Sequence, residues 1–168
     1  MKISTSAVQW KIPKIVVLTK GVGIGNTKLT AFDKALLKAG IGNLNLIKVS
    51  SIVPPGGKVV KVEDCILDLP PGALIPAVYT QIISATKGLT ISSAIGVGIP
   101  RRPEQNGMIL EASIQGPKEK AETLVRQMIV EAFEAREMEL AETVIISSEA
   151  QSAHHIVCTV AAALLLQD

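Results

Sequence analysis

LTAFDKALLKAGIGNLNLIKVSSIVPPG, residues 29–56, runs from an amphipathic segment through an apolar one to an abrupt break. Its first part predicts a helix over residues 29–39, because apolar side chains recur there at helical spacing. Either Asn26 or Thr27 can cap the start of this helix, and Gly40 is suited to end it. Residues 29–56 therefore predict a helix that is followed directly by a strand.

The strand that follows, NLNLIKVSS at residues 43–51, ends in two adjacent serines. Alternation along the strand places Asn45 and Ile47 on one face. Ser50 and Ser51 stand just ahead of Pro-Pro-Gly-Gly, which breaks any regular element. Hydroxyl side chains at such a place usually bond to the local backbone, so the serine pair on its own predicts a turn.

The rest of the chain adds strands and one long helix. Residues 15–19 are β-branched and apolar and predict a buried strand, and the glycines of GVGIGN predict a loop after it. Their spacing does not match the dinucleotide fingerprint, which leaves phosphate binding as a minor alternative. The helix beginning at Pro117 repeats apolar residues at intervals of three and four as far as Phe133. Further strands are predicted at residues 58–62, 75–85, 90–99, 108–115, 142–150 and 154–166, the last two joined as a hairpin.

The order of these elements indicates the fold class. A strand, a helix, several strands, a long helix and two strands do not alternate as a doubly wound parallel sheet requires. The sequence therefore predicts an α+β fold, an αββα layered sandwich with mostly antiparallel sheets and two main helices. No repeat or long linker divides the chain, so residues 1–168 are predicted to form a single domain.

The composition indicates an aliphatic core and an oligomer. Hydrophobic residues make up 48% of the 168 residues but aromatic residues only 2%, so aliphatic side chains must fill the core. The mean hydropathy of +0.39 is high for a small monomer and predicts apolar surface buried between subunits. A net charge of +2 without a basic run argues against a nucleic-acid-binding surface.

Three features concern the cellular compartment. The N-terminal MKISTSAVQWKIPK lacks the continuous apolar region of a secretory signal. The most apolar tract, residues 156–166, is too short to span a membrane. Cys65 and Cys158 lie far apart, as is typical of reduced thiols in an intracellular protein. We therefore expect a cytoplasmic protein without a membrane partner.

Few side chains offer obvious chemistry. His154 and His155 are the only histidines, and on a predicted strand they point to opposite faces, which suits neither a catalytic triad nor a metal site. No metal is therefore expected. The remaining polar residues of interest are Asp33, Asn45 and Glu111, and each has an ordinary structural explanation when taken alone.

Taken together, several stretches resemble the pyruvoyl-dependent arginine decarboxylases. The Ala-Phe-Asp, Ala-Gly-Ile-Gly-Asn, Asn-Leu and Ser-Ser-Ile-x-Pro-Pro motifs of residues 29–56 fall in register with that family. The similarity continues through LPPGALIPAVYTQIIS, GLTISSAIGVGIP, GMILE and EAFEARE and covers nearly the whole chain. So many motifs in the same order are far more specific than a serine pair alone.

The resemblance implies that the bond between Ser50 and Ser51 cleaves itself. The Ser51 hydroxyl would attack the Ser50 carbonyl, the acyl group would shift from nitrogen to oxygen, and elimination would leave dehydroalanine at position 51. Loss of ammonia then yields a covalent pyruvoyl cofactor derived from Ser51. The products would be a β chain, residues 1–50, and an α chain, residues 51–168.

The same resemblance implies a carboxy-lyase that converts L-arginine to agmatine and carbon dioxide through a Schiff base to the pyruvoyl group. It implies Glu111 as the acid that reprotonates the substrate carbon. Asn45 matches a family residue near the processed bond, where its amide would polarise the scissile carbonyl or orient the substrate carboxylate. Asp33 would pair with the guanidinium, and Leu29 would line the aliphatic stem.

Assembly is also implied by the resemblance, since the family forms trimers with the active site between protomers. A homotrimer of cleaved protomers is the expectation, with a hexamer as the alternative. Two other functions stay open at this point. One is a trimeric ligand-binding module whose serines only make a turn, and the other is a pyruvoyl decarboxylase for another amino acid.

Overall fold

Residues 11–167 are described by the structure, a computed structural model. The prediction that the chain begins without a secretory signal falls mostly on residues 1–10, which lie outside this range. The strands are β1 (Ile15–Gly25), β2 (Asn45–Lys48), β3 (Ile52–Val53), β4 (Lys58–Lys61), β5 (Leu74–Ser84), β6 (Thr90–Pro100), β7 (Gly107–Gln115), β8 (Leu140–Gln151) and β9 (Ile156–Leu166). The α-helices are α1 (Lys28–Lys38) and α2 (Lys118–Glu134), and Val62–Asp64 forms one turn of 3-10 helix.

Two sheets lie face to face between the two helices. The five-stranded sheet has the order β2-β5-β9-β1-β4, and the four-stranded sheet has the order β3-β7-β6-β8. The pairs β1/β4 and β2/β5 are parallel, whereas the other pairs are antiparallel. Buried side chains from both sheets meet between them, among them Val78, Ala161, Ile95 and Ile109. The predicted αββα sandwich with mostly antiparallel sheets is confirmed.

Local sequence explains the limits of α1. Thr27 is its N-cap and exchanges hydrogen bonds with Thr30 in a capping box, which satisfies backbone N–H groups that the first turn leaves free. The chain then leaves the helix through Gly40, whose φ of +74° is a conformation that favours glycine. Both ends agree with the predicted helix to within one residue.

The glycines of GVGIGN belong to β1, so the predicted loop is wrong. A Cβ atom on Gly23 would lie 2.0 Å from the Ala31 carbonyl oxygen, and one on Gly21 would lie 2.0 Å from the Ala35 carbonyl oxygen. The missing side chains therefore let the backbone of α1 approach β1 directly. This close packing explains the alternating glycines without any bound phosphate.

The predicted hairpin of the last two strands is also wrong. β8 pairs with β6 in the four-stranded sheet, whereas β9 pairs with β1 and β5 in the other sheet. β9 lies between two strands and has both faces covered, which accounts for its uninterrupted apolar sequence. His154 and His155 lie in the bend that joins the two sheets, and both are exposed rather than on a strand.

The N-terminus of α2 is capped from a distant strand. Pro117 is the N-cap residue rather than part of the first turn, and it has no side-chain acceptor to offer. The Glu149 carboxylate of β8 accepts the backbone N–H of Lys118 at 2.8 Å instead. The helix buries Ala121, Val125, Ile129 and Phe133. No helix within residues 11–167 is both long and apolar enough to cross a membrane.

Candidate active site

The chain changes sheets at the bond between Ser50 and Ser51. Just before it, the Val49 N–H donates to the Ala77 carbonyl at 3.1 Å in the five-stranded sheet. Just after it, the Ser51 carbonyl accepts the N–H of Ile109 at 2.8 Å in the four-stranded sheet. The intervening peptide bond therefore spans two edge strands, β2 and β3, and belongs to neither ladder.

This peptide is accessible and its flanks are anchored. Ser50 is exposed and Ser51 is half-buried. Among the described residues, no backbone N–H donates to the Ser50 carbonyl. The chain on each side would stay attached to a different sheet if the bond broke.

Glu111 lies on the neighbouring strand and faces the space between the sheets. It alternates with Ile109, a residue of the inter-sheet core, and with Ser113, whose hydroxyl bonds to the opposite sheet. Ile109 is the residue that bonds Ser51, so Glu111 is two residues further along β7, about 7 Å along the strand. The structure thus brings Glu111 and the serine pair into one region.

The electrostatics of Glu111 favour its acid form. Burial raises the pKa of this half-buried carboxyl above its usual value, while the positive charge of Lys48 and a hydrogen bond from the carboxyl's own backbone oppose the rise. Lys48 stands two residues before Ser50, with its ammonium 5.1 Å from the centre of the Tyr79 ring. Sequence reasoning missed Lys48, because the pattern of β2 does not show that this residue acts on Glu111 of β7.

A large groove borders the serine pair. Its volume is about 910 Å³, and its lining is mainly aliphatic. Ile47, Val49 and Ser50 contribute from the segment that precedes the bond, and Ile52 contributes from the segment that follows it. The sequence indicated no such groove, since its other walls come from β5, from the end of β9 and from residues before β1.

A second feature absent from the sequence analysis is a hydroxyl cluster between the sheets, in which Ser93 and Thr159 are fully buried. The Ser113 hydroxyl lies 2.8 Å from that of Thr80 and 2.8 Å from that of Ser93. The Ser93 hydroxyl lies 2.9 Å from that of Thr159. The four side chains satisfy one another across the two sheets beyond Glu111.

Asn45 lies at the beginning of β2, away from the serine pair. Its side-chain N–H₂ donates to the Gly72 carbonyl at 2.8 Å and so holds the loop before β5. Ser50 is five residues further on, about 16 Å at the rise of an extended strand. Asn45 shares a strand face with Ile47 of the groove, but it does not reach the Ser50 carbonyl of its own chain.

Leu29 and Asp33 lie still further from the serines. Both are exposed on α1, and Leu29 is 74% exposed. The part of α1 that contains them packs over Gly23 of β1. The row of Val17 runs through Leu164 and Ala77 to Lys48 of β2. Ser50 is two residues further on, so Gly23 lies about 13 Å beyond it along the strands, and β1 is three strands, about 14 Å, from β2. Within one protomer the structure does not bring Asp33 and the serine pair together.

The described residues offer no cluster of side chains suited to bind a metal ion. Residues 11–167 contain no group of three or more His, Cys, Asp or Glu side chains placed to hold an ion.

The model of the pyruvoyl-dependent arginine decarboxylase family matches residues 15–168. The chain belongs to this family. It is 41% identical over 165 residues to the pyruvoyl-dependent arginine decarboxylase of Methanococcus maripaludis strain C5, covering 98% of each chain. It is 44% identical over 140 residues to that of Thermococcus kodakarensis, covering 83% of this chain and 87% of the relative.

A covalently bound pyruvoyl group is the prosthetic group of this family. Position 51 is compatible with it, because a terminal ketone there would keep its backbone anchor to Ile109 and the β3 pairing that follows. The nearby acid, Glu111, has its pKa raised by burial, which suits a group that must hold a proton beside such a ketone.

Proposed function

We propose that this protein is a pyruvoyl-dependent arginine decarboxylase that converts L-arginine to agmatine and carbon dioxide. In this proposal Ser51 becomes the pyruvoyl group, and the mature protomer consists of residues 1–50 and residues 51–168. The observation that carries the proposal is the position of the Ser50-Ser51 bond, which crosses between two sheet edges beside Glu111. Family membership supplies the substrate.

The self-cleavage uses groups that the chain itself supplies. The Ser51 hydroxyl attacks the Ser50 carbonyl carbon, and the carbon–nitrogen bond breaks to leave an ester and a free amine. Ser51 is suited to this attack because the bond lies outside both ladders, so its rotation breaks no sheet hydrogen bond of the Ser50 carbonyl. Loss of the Ser51 α-proton then expels the ester oxygen, and water replaces the nitrogen, which leaves as ammonia.

The pyruvoyl group, once present, supplies an electron sink for the bond that releases carbon dioxide. We assign Glu111 the return of a proton to the substrate carbon, because its raised pKa keeps the carboxyl protonated at higher pH than usual. Ile47, Val49 and Ile52 line the adjoining groove with aliphatic surface and would exclude water from the reacting carbon.

The guanidinium would be bound by a second copy of the chain. Asp33 is exposed on α1, which packs over β1, and β1 lies three strands away from β2 in the five-stranded sheet, so Asp33 is far from the serine pair of its own protomer. In a homotrimer, Leu29 and Asp33 of one protomer would lie at the groove of its neighbour. One active site would then contain residues from both protomers. A carboxylate pairs with the planar guanidinium through two hydrogen bonds, which selects arginine over lysine.

For Asn45, we propose that it orients the substrate carboxylate in a site shared with a second protomer. The alternative, polarising the Ser50 carbonyl, requires a reach of about 16 Å within one chain. Asn45 is exposed at an edge strand, where a neighbouring copy has access to it. Replacing it with aspartate should leave cleavage intact and raise the Michaelis constant for arginine.

The first experiment is an intact-mass spectrum of the purified protein, followed by decarboxylation assays with arginine, lysine and ornithine. We expect masses for residues 1–50 and for residues 51–168 without the Ser51 amine. We also expect agmatine from arginine at a rate well above that for the other amino acids. A single full-length mass after prolonged incubation would exclude the self-cleavage, and a preference for lysine would overturn the substrate assignment.

The second experiment tests whether the site is shared. Asp33→Asn should raise the Michaelis constant for arginine about ten- to a hundredfold while leaving cleavage unchanged. Glu134→Gln, which neutralises an exposed carboxylate at the end of α2, is the matched control. Co-expression of Asp33→Asn with Glu111→Gln should restore activity, since roughly a quarter of randomly shared sites would contain both native carboxylates. If mixed oligomers form but activity does not recover, Asp33 and Glu111 of one site belong to the same protomer.

We also propose a cytoplasmic location. Cys158 is buried in β9, and the thiol of the half-buried Cys65 lies 3.9 Å from the Val62 carbonyl oxygen. Both cysteines are free thiols, as is usual in a reducing compartment. Rapid alkylation of intact cells, followed by mass spectrometry, should find both thiols reduced. An oxidised pair would argue for another compartment.

A further inference from the structure

Self-cleavage would create a charge that the intact chain lacks. Elimination breaks the bond between the Ser51 Cβ and Oγ atoms, and that oxygen leaves on the Ser50 acyl group. Residue 50 then ends in a carboxylate that holds its own carbonyl oxygen and the former Ser51 Oγ. This inference rests on the proposed function, because without cleavage no carboxylate forms at Ser50.

The new carboxylate would appear in apolar surroundings. Ser50 lines the groove together with Ile47 and Val49 of its own segment and with Leu74 and Leu165 of neighbouring strands. A charged group with such neighbours is unfavourable unless an opposite charge or hydrogen-bond donors satisfy it. Ser50 is exposed, so water solvates part of this charge, and a cation at the groove would stabilise the rest once the bond has broken.

Lys11 is the one charged residue among the described residues that line this groove. Its backbone is fixed near the end of β9, because the Gln167 side-chain N–H₂ donates to the Lys11 carbonyl at 3.2 Å. The backbone N–H of Lys14 donates to the Leu166 carbonyl at 2.8 Å and fixes the same segment. Lys11 is therefore held at the groove that contains Ser50, and its side chain is exposed there.

The carboxylate would also be held at the groove. Val49 is held by its bond to Ala77, so Ser50 is the single residue beyond the last backbone anchor. Lys48 is closer in sequence, but its ammonium lies over the Tyr79 ring and it does not line the groove. Two opposite charges tethered within one groove meet at a high effective concentration.

We propose that the Lys11 ammonium binds the Ser50 carboxylate released by self-cleavage and holds the new chain end in the groove. The pairing also has a consequence for the substrate. An unpaired carboxylate beside position 51 would repel the carboxylate of the incoming amino acid, and Lys11 neutralises it. Lys11 therefore acts on substrate binding through the Ser50 terminus and not by contact with the substrate.

A double-mutant cycle between Lys11 and the cleavage state tests this pairing. Lys11→Met is compared in the cleaved protein and in the uncleaved Ser51→Ala background, with the thermal unfolding midpoint as the measurement. We expect Lys11→Met to lower the midpoint of the cleaved protein by about 2–4 °C and to leave the uncleaved protein nearly unchanged. Lys11→Arg should restore the midpoint, and Lys61→Met, on β4 at the other edge of the sheet, should show no such difference.

Kinetics give a second readout. Cleaved Lys11→Met should show a Michaelis constant for arginine raised about three- to tenfold with little change in kcat. An equal midpoint shift in cleaved and uncleaved protein, or no shift in either, would overturn the pairing. If the parent protein shows a single full-length mass, both this pairing and the proposed function are overturned. If the parent is cleaved but Lys11→Met shifts the midpoint equally in cleaved and uncleaved protein, only the pairing is overturned.

Discussion

The dipeptide Ser-Ser occurs at three places in this chain, and the three places differ in their backbone surroundings. Ser92-Ser93 lies within β6, which pairs with β7 on one side and β8 on the other. Ser147-Ser148 lies within β8 and pairs with β6. Ser50-Ser51 alone lies outside a strand, where the chain crosses from one sheet to the other.

The comparison shows why a dipeptide cannot identify a cleavage site. In β6 both serines are fully buried, and the Ser93 hydroxyl bonds to groups of the opposite sheet, so attack on the preceding carbonyl would break a ladder and a hydroxyl cluster. The Ser50-Ser51 peptide has no ladder to break and lies near the carboxyl of Glu111. Backbone freedom and a neighbouring acid, both products of the fold, distinguish it from the other two pairs.

Ser51→Ala should have the largest effect, and it tests whether Ser50-Ser51 differs in function from the other two serine pairs. Without the Ser51 oxygen no acyl shift is possible, so cleavage and decarboxylation should both fall below detection while the oligomer stays intact. Intact-mass spectrometry and an agmatine assay measure the two outcomes. Ser148→Ala is the matched control and should cleave normally. A decarboxylating Ser51→Ala protein would mean that the cofactor arises elsewhere.

Glu111→Gln should cause the next largest effect. The amide keeps the shape of the side chain but cannot deliver a proton, so kcat should fall by about 10²- to 10⁴-fold in protein that still cleaves. In the parent, the acid form is present below the raised pKa of Glu111, so kcat should fall as pH increases through that pKa. This pH dependence should vanish in Glu111→Gln. Glu142→Gln, an exposed change on β8, should behave as the parent does.

Ser93→Ala should affect stability rather than chemistry. The change removes the central hydroxyl of the cluster and leaves the half-buried Ser113 and the buried Thr159 hydroxyls each short of a partner, at a cost of about 1–3 kcal/mol. The free energy of unfolding is best measured in the uncleaved Ser51→Ala background, where a single chain unfolds. Normal cleavage of Ser93→Ala alone is expected; blocked cleavage would show that the cluster takes part in processing.

Ser148→Ala should have the smallest effect of the four. The Ser148 hydroxyl makes one hydrogen bond, to the Val160 carbonyl at 2.9 Å, so its loss should cost about 0.5–1.5 kcal/mol. The same denaturation experiment in the Ser51→Ala background measures it. A loss larger than that of Ser93→Ala would contradict the view that the hydroxyl cluster is the main polar link between the sheets.

Several elements were predictable because their causes are local. The Thr27 cap and the left-handed Gly40 act within a few residues, so local sequence specifies the two ends of α1. The apolar spacing identifies α2 as a helix, although the cap of its first turn comes from Glu149 of a distant strand. The long series of motifs around Ser50-Ser51 was specific enough to indicate the family. The αββα arrangement followed from the order of the elements.

Other features depended on residues distant in sequence. A glycine without a Cβ permits a loop as readily as close packing, and only the position of α1 shows that Gly23 serves packing. The strands β8 and β9 have hairpin spacing, but β9 buries both faces between β1 and β5, so it pairs there and not with β8.

The candidate site divides in the same way. By itself, the sequence singled out Ser51, Glu111 and Asp33 as candidates for the proposed chemistry, because they stand in motifs that resemble those of the family. Only the tertiary structure decided that Glu111 lies near the serine pair while Asp33 does not, and that Lys11 shares a groove with Ser50. These relations arise from sheet register and from the crossing between two sheets, which depend on contacts that no local pattern of residues encodes.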